Sequence, residues 1–223
     1  VEGMSSYETI YVFCINTGSS ALGPQCSRSM DGGHTWDIQR PGYPIGTPQC
    51  SGLHGHVIGS PDGSVYRGNP SCDGPAVYRS IDGGYTWSEH TITTNATLAS
   101  NSHEIATATD DAGGLHAFWI ANDNNPYYAN SRDKGDTWSE PLMVAPPGRQ
   151  GSGFPTIYAA AAGRVACGYI GTFDDENWGG YLGVITDAWN DRPLITPLQV
   201  NSHHDPLDME PNCGYQRCVG LCA

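Results

Sequence analysis

Positive charge is scarce in this chain of 223 residues. Lysine and arginine together number ten against 23 aspartates and glutamates, which gives a formal net charge of −13. A surface this acidic repels phosphate groups, so nucleic acid and anionic membrane surfaces are poor partners, and we expect no nucleic acid binding. The sequence also has no run of 18 apolar residues, so we expect no membrane insertion.

Segments with the 3.6-residue period of a helix are missing as well. Glycine and proline are abundant instead, with 29 and 16 copies, and they separate short runs rich in β-branched and aromatic residues. These runs recur four at a time along most of the chain. The sequence therefore predicts an all-β protein built from sets of four short antiparallel strands.

An octet of the form S-x-D-x-G-x-T-W occurs three times. Its serines stand at equal intervals of 51 residues (29 to 80 and 80 to 131), which is typical of a repeat architecture. The recurring residues are Ser29, Asp31, Gly33, Thr35 and Trp36, then Ser80, Asp82, Gly84, Thr86 and Trp87, then Ser131, Asp133, Gly135, Thr137 and Trp138.

The chemistry of the octet predicts a β-turn held by side chains. The aspartate carboxylate accepts hydrogen bonds from nearby backbone N–H groups, the serine hydroxyl adds a weaker bond, and the glycine adopts a positive φ. The tryptophan is expected to bury its ring against the hairpin. Three equivalent copies suit a structural role better than one asymmetric active site, so we expect no catalysis or metal binding by these aspartates.

The octets resemble the Asp-box (bacterial neuraminidase) repeat of sialidase-like β-propellers, and the resemblance extends over nearly the whole chain. A degenerate fourth copy begins at Ile185 and contains Asp187. The resemblance implies blades of four antiparallel strands, with each octet between the third and fourth strands. We expect one domain over 1–223, with blades near 1–50, 51–101, 102–150 and 151–205 and a cysteine-rich tail at 206–223. About four blades suggest part of a larger propeller, while a ring shared between chains and a small four-bladed ring remain alternatives.

Eight cysteines and an Asn95-Ala96-Thr97 acceptor sequence favour an oxidising, extracellular or cell-surface location. Cys14 and Cys26 lie on neighbouring predicted strands, and Cys50 and Cys72 flank a predicted hairpin, so both pairs are expected to be disulfides. The sequence leaves the partners of the remaining four open, with Cys167 expected to pair within the tail set of Cys213, Cys218 and Cys222.

Candidates for metal binding are few. His54 and His56 point to one face of a predicted innermost strand, and His103 begins the corresponding strand of the next blade. Imidazoles that converge in a central channel can bind a transition metal, although histidines satisfied by water and backbone are the favoured interpretation. Calcium on acidic loops such as 110–111 and 174–176 remains an alternative, without ligand spacing to support it.

Candidates for catalysis are fewer. The resemblance implies a sialidase centre of three arginines, a tyrosine paired with a glutamate, and an acid/base aspartate. Arg28 and Arg79 precede octet serines, Arg132 lies inside an octet, and Tyr127 and Tyr128 have no evident glutamate partner. No catalytic residue is therefore predicted. We expect a non-catalytic propeller that recognises other protein chains, glycans or copies of itself; the alternative is a segment of a sialidase-type glycoside hydrolase with its catalytic residues elsewhere.

Overall fold

The chain folds into four antiparallel sheets that follow one another in sequence. The computed structural model describes residues 9–16, 23–47, 55–99, 104–174, 176–202 and 204–207. Helix within these residues is limited to one 3₁₀ turn, Ala96–Leu98. The predicted all-β class is confirmed. None of the helical structure described is long and apolar enough to cross a membrane.

Strands adjacent in sequence pair with one another in every sheet. The first sheet has three described strands, and the other three sheets have four each. The strands of the first two sheets are β1 (Tyr11–Asn16), β2 (Pro24–Ser29), β3 (Arg40–Pro41), β4 (Val57–Gly59), β5 (Val65–Ser71), β6 (Gly74–Ser80) and β7 (Ser88–Thr91). Those of the last two are β8 (Ala106–Thr109), β9 (Leu115–Ile120), β10 (Pro126–Ser131), β11 (Leu142–Met143), β12 (Gly151–Ala159), β13 (Val165–Thr172), β14 (Trp178–Ile185) and β15 (Ile195–Gln199).

The up-and-down order gives every sheet two distinct ends. In the four-stranded sheets, the turn after the first strand and the turn after the third strand lie at one end, which we call the octet end. The loop between the second and third strands and the connection to the next sheet lie at the other, which we call the loop end. Side chains that precede a first strand therefore lie near those that follow a second strand.

The core lies between consecutive sheets. Three clusters of buried side chains join the first sheet to the second, the second to the third, and the third to the fourth. The middle cluster contains Trp119 and Tyr66, and the last contains Phe118 and Tyr169. Burial of these aromatic rings stabilises each sheet only against its neighbours, as expected of a repeat architecture.

The octets lie on the turns that lead into the last strand of the first three sheets, between β2 and β3, β6 and β7, and β10 and β11. The expected burial of their tryptophans is wrong for one copy. Trp87 is 7% exposed and packs in the cluster between the first two sheets, whereas Trp36 is 47% exposed and Trp138 is half-buried. Trp36 differs because no described sheet packs on its side of the first sheet.

The cysteines follow the predicted pattern in part. Cys14 and Cys26 are register partners on β1 and β2 and form a disulfide, as predicted. Cys72 is also disulfide-bonded, but Cys50 lies outside the described residues, so their pairing stays a prediction. The expected bond at Cys167 is wrong, because this thiol is free and fully buried between the last two sheets. Cys213, Cys218 and Cys222 lie outside the described residues.

Candidate functional site

Each octet is a closed hydrogen-bonded turn. In the second copy the Ser80 hydroxyl donates to Asp82 Oδ1 at 2.8 Å and accepts the Gly84 N–H at 2.8 Å, while Asp82 accepts both the backbone N–H and the hydroxyl of Thr86. The other two octets repeat these bonds to within about 0.1 Å. The bonds lower the pKa of Asp31 to about 2 and also lower those of Asp82 and Asp133. Carboxylates committed in this way have little capacity left for a ligand.

Arginines next to the octets connect one sheet to the next. Arg28 Nη1 donates to the carbonyl of Asp82, 2.8 Å away in the second octet, and Arg79 Nη1 donates to the carbonyl of Lys134, 3.1 Å away in the third. Arg132 in turn donates to the carbonyl of Trp189 in the degenerate fourth copy. These arginines are structural and lie at the octet end.

The predicted histidine cluster is described only in part. His56 is exposed just before β4, and His54 and His103 lie outside the described residues. Glu104, just before β8, is half-buried; burial raises its pKa, and the nearby His56 opposes that rise. No group of three or more metal-ligating side chains occurs among the described residues, so a metal at these histidines stays a prediction. Asn95 is exposed and caps the 3₁₀ turn through Thr97, which leaves its glycosylation a prediction too.

The acidic segment near 174 has a local role. Asp174 accepts the backbone N–H groups of Glu176 and Asn177 and the side-chain amide of Asn177, which closes the loop between β13 and β14. These bonds hold the pKa of Asp174 well below its usual range. The Thr172 hydroxyl also donates to it, and a carboxylate of low pKa that accepts four hydrogen bonds is unsuited to act as a general acid. Asp175 lies outside the described residues.

An open pocket lies directly beside this loop at the loop end of the fourth sheet. Its volume is about 270 Å³. Phe173, Trp178 and Tyr181 supply aromatic rings, and Asn177, Gln199 and Asn201 supply amides. Rings and a few polar groups in a concave site are the usual composition of a small-molecule pocket.

Arg149 packs behind the same aromatic rings. It stands two residues before β12 and is 8% exposed. Its guanidinium carbon lies 4.0 Å from the ring centre of Tyr181, 4.4 Å from that of Phe173 and 5.1 Å from that of Tyr169. Gly171 makes room for it, because a Cβ at that position would collide with Arg149 Nη1. The arginine and the pocket therefore share Phe173 and Tyr181.

Strand β12 is distorted next to the three aromatic rings that surround Arg149. Between Gly153 and Thr156 the register with β13 shifts, so that Phe154 and Pro155 together lie opposite Tyr169. Phe154 is exposed and has a φ of 52°, which a residue with a side chain rarely adopts. Strain of this kind is concentrated at functional sites in proteins.

Sequence reasoning missed this site. None of its residues belongs to an octet, and they come from positions 149 to 206, which only the fold brings together. One signal was available: four aromatic residues fall between positions 169 and 181, and Arg149 is one of the arginines outside every octet.

No family model matches the chain, and no curated protein matches it either. Solved structures do resemble it. The NanB sialidase of Streptococcus pneumoniae is 18% identical over 81% of this chain and 29% of its own, with a TM-score of 0.57. An intramolecular trans-sialidase from Ruminococcus gnavus is 17% identical over 80% of this chain and 41% of its own, with a TM-score of 0.52. A putative exo-β-1,3-galactanase from Bifidobacterium bifidum is 16% identical over 89% of this chain and 70% of its own, with a TM-score of 0.57.

These likenesses define the fold class: an all-β chain built from propeller-type blades. At such low identity they show the fold alone. The chain spans less than half the length of the two sialidases.

Proposed function

We propose that this chain is a non-catalytic, extracellular β-propeller module that recognises glycans at the loop end of its fourth blade. The observation that carries the proposal is the pocket of Phe173, Trp178 and Tyr181 with its rim of amides. A pyranose ring presents an apolar C–H face that packs on aromatic rings and hydroxyls that pair with amides. The glycosidase-type fold and the disulfide Cys14–Cys26 support a secreted carbohydrate-binding role.

The non-catalytic part of the proposal is supported by the chemistry at the loop end. Sialoside hydrolysis needs a positioned nucleophile and groups that stabilise an oxocarbenium-like centre. Asp174 accepts hydrogen bonds from its own loop. At the octet end, three arginines donate to carbonyls of the following sheet: Arg28, Arg79 and Arg132. Tyr127 donates its hydroxyl to Asp123, and its pKa is raised to about 12, which makes it a poor nucleophile.

Glycan-array screening followed by calorimetry tests the proposal. We expect binding of galacto-oligosaccharides or other glycans, reduced at least tenfold by Trp178→Ala. Trp36→Ala is the matched control, because Trp36 is exposed at the octet end and outside the pocket. An equal loss of glycan affinity in both variants, or no glycan binding by the wild type, contradicts recognition by the pocket.

Hydrolysis is tested in parallel on a fluorogenic sialoside and a fluorogenic galactoside. We expect no turnover above a heat-killed control. Turnover that disappears in Glu104→Gln would show that the chain is a glycoside hydrolase, since Glu104 has the raised pKa of a general acid.

A further inference from the structure

The second and third octets each pack against the sheet that precedes them. A Cβ at Gly84 in the second octet would lie 2.8 Å from a methyl carbon of Val12 on β1. A Cβ at Gly135 in the third octet would lie 3.3 Å from the side chain of His90 on β7. In the first octet, no described atom lies within 4 Å of a Cβ at Gly33. The first octet is therefore open on the side where the next two are covered.

The octet tryptophans and the arginine contacts follow the same rule. Trp87 packs in the cluster shared with the first sheet, and Trp138 packs against the cluster shared with the second. Trp36 is exposed, with no described sheet before it. An arginine of the preceding sheet donates to a carbonyl of the second octet and another to the third, whereas no described arginine donates to a carbonyl of the first. All three features of the first octet point to a contact with a preceding sheet.

The outer face of the first sheet is apolar. Val12 and Cys14 on β1 pack toward the second sheet, so the alternation of side chains along a strand places Tyr11 and Phe13 on the opposite face. Both aromatic rings are exposed. Together with Trp36 they form an uncovered apolar surface, which we call the leading face.

The outer face of the fourth sheet is apolar as well. Ile157 on β12 and Tyr181 on β14 pack toward the third sheet, so their neighbours Tyr158 and Leu182 point away from it. Leu198 on β15 is the register partner of Leu182 and shares its face. Tyr158 and Leu198 are exposed, and no described sheet covers them. We call this surface the trailing face.

Charges at the octet end complement these two faces. Arg164 and Arg192 lie in the turns at the octet end of the fourth sheet, exposed and with no described partner for either guanidinium group. The first octet and its surroundings, residues 29–39, contain Asp31 and Asp37 and no lysine or arginine. An arginine of the fourth sheet can therefore donate to the first octet as the arginines of the earlier sheets donate to the later turns.

We infer that the trailing face of one chain packs on the leading face of a second copy, in the way that consecutive sheets of one chain pack on each other. Such a contact joins two different surfaces, so it is heterologous. Two copies satisfy both contacts at once in a ring of eight sheets, four from each chain, which is within the usual number of propeller blades. Soluble repeat proteins cover apolar faces of this kind. The inference does not depend on glycan recognition by the pocket.

Sedimentation velocity over a hundredfold range of protein concentration tests this contact. We expect a species of twice the mass of one chain that dissociates on dilution. Phe13→Asp and Leu198→Asp should each weaken self-association at least tenfold, because each places a charge in the apolar contact. Ile81→Asp is the matched control: Ile81 is exposed in the second octet, on neither face, and its substitution adds the same charge.

Mixing the two variants separates a contact between unlike faces from one between like faces. Phe13→Asp retains an intact trailing face and Leu198→Asp an intact leading face. An equimolar mixture should therefore form a mixed pair at a concentration where neither variant associates alone, and the mixed pair also shows that both variants fold. A monomeric wild type, self-association that both variants retain, or a mixture that forms no pair each overturns the inference.

Tryptophan fluorescence identifies the surface that is covered. Trp36 should leave water on association, so the wild-type emission should shift to shorter wavelength as the concentration rises. Trp36→Phe should still associate, because it keeps an aromatic ring at this position, but without that shift. A shift that persists in Trp36→Phe places the contact elsewhere and overturns the inference.

Discussion

The octet turns depend on hydrogen bonds between residues two to four positions apart. The serine hydroxyl is the centre of each turn, because it donates to the aspartate and accepts the glycine N–H. In the second octet that N–H belongs to Gly84, which is buried against the γ-carbons of Val12 in the first sheet. In the first octet it belongs to Gly33, which is exposed. The same hydrogen bond should therefore contribute differently to the free energy of unfolding in the two octets.

Ser80→Ala should lower the free energy of unfolding by about 1–3 kcal/mol, the cost of a buried backbone N–H without a partner. Ser29→Ala is the matched control and should cost less, because water can reach the Gly33 N–H. Asp82→Ala should fall in the same range as Ser80→Ala. Denaturant unfolding measures all three, and equal effects of Ser80→Ala and Ser29→Ala would contradict the role given to burial.

Residue patterns alone predicted the octets well because every bond in them is local. The burial of Trp36 and the pairing of Cys167 were mispredicted because both depend on which sheet lies next to the residue in space. Trp36 has no described sheet beside it, and Cys167 points into the core between two sheets. Arg149 was missed for the same reason, since the three rings around it come from β13, from β14 and from the loop between these strands.

Strands and turns are joined across sheets by buried polar contacts. The clearest example connects the third sheet to the fourth. His116 on β9 lies 2.7 Å from Tyr128 Oη through Nδ1 and 3.3 Å from Asp110 Oδ2 through Nε2. Asp110 also accepts the backbone N–H of Gly163, in the first turn of the fourth sheet. His116 and Asp110 are fully buried, so the contact holds two turns together away from water.

This contact should make stability depend on pH. Burial lowers the pKa of His116 from 6.5. Burial acts to raise the pKa of Asp110, but the hydrogen bonds from Gly163, Gly114 and His116 together outweigh it and lower that pKa from 3.8. The unfolded chain then binds protons that the folded chain does not, so stability is full above about pH 6.5 and declines as the pH falls below it. We expect His116→Gln to reduce the slope between pH 7 and 5 by up to one proton, or about 1.4 kcal/mol per pH unit.

Denaturant unfolding at several pH values measures the slopes. His90→Gln is the control. Burial also lowers the pKa of His90, but this histidine is not fully buried. An unchanged slope in His116→Gln would show that His116 does not carry the linkage.

The arginine of one sheet donates a hydrogen bond to the octet of the following sheet. Arg28→Ala should expose backbone amides in the second octet, because its Nη1 donates to the carbonyl of Asp82. Hydrogen exchange is expected to rise over residues 80–87 more than over residues 29–36. Arg40→Ala is the control, since Arg40 stacks on Tyr85 at 4.1 Å without a hydrogen bond to that octet among those described. Faster exchange confined to residues 29–36 would contradict the connection.

At the scale of the molecule, the hydrophobic core is divided into clusters between neighbouring sheets, and a disulfide adds to its stabilising effect. The disulfide Cys14–Cys26 joins the first two strands of the first sheet and closes a loop with a sequence separation of 12. Closure of a loop of this length is expected to contribute about 3 kcal/mol. Cys14→Ala/Cys26→Ala should therefore melt lower than the wild type, and reducing agent should shift the wild type more than the variant. Calorimetric scans with and without reductant decide this.

The cysteine count limits the pairing among these 223 residues. Cys14, Cys26 and Cys72 are bonded and Cys167 is free, so with one partner for Cys72 three of the eight cysteines remain. Three cysteines cannot all pair with one another. We expect at least two thiols to react after unfolding, with Cys167 protected before it. Non-reducing peptide mapping identifies them, and a single reactive thiol would point to a disulfide between two copies.

The arginine contacts also have a consequence for synthesis on the ribosome. Each donor belongs to the earlier sheet and each acceptor to the later one: Arg28 to the second octet, Arg79 to the third and Arg132 to the fourth turn. Chains emerge amino terminus first, and folding follows that order. Each of these three arginines therefore has no acceptor until the turn of the following sheet, more than fifty residues later, has been synthesised. The contact between two neighbouring sheets is completed only when the later one is present.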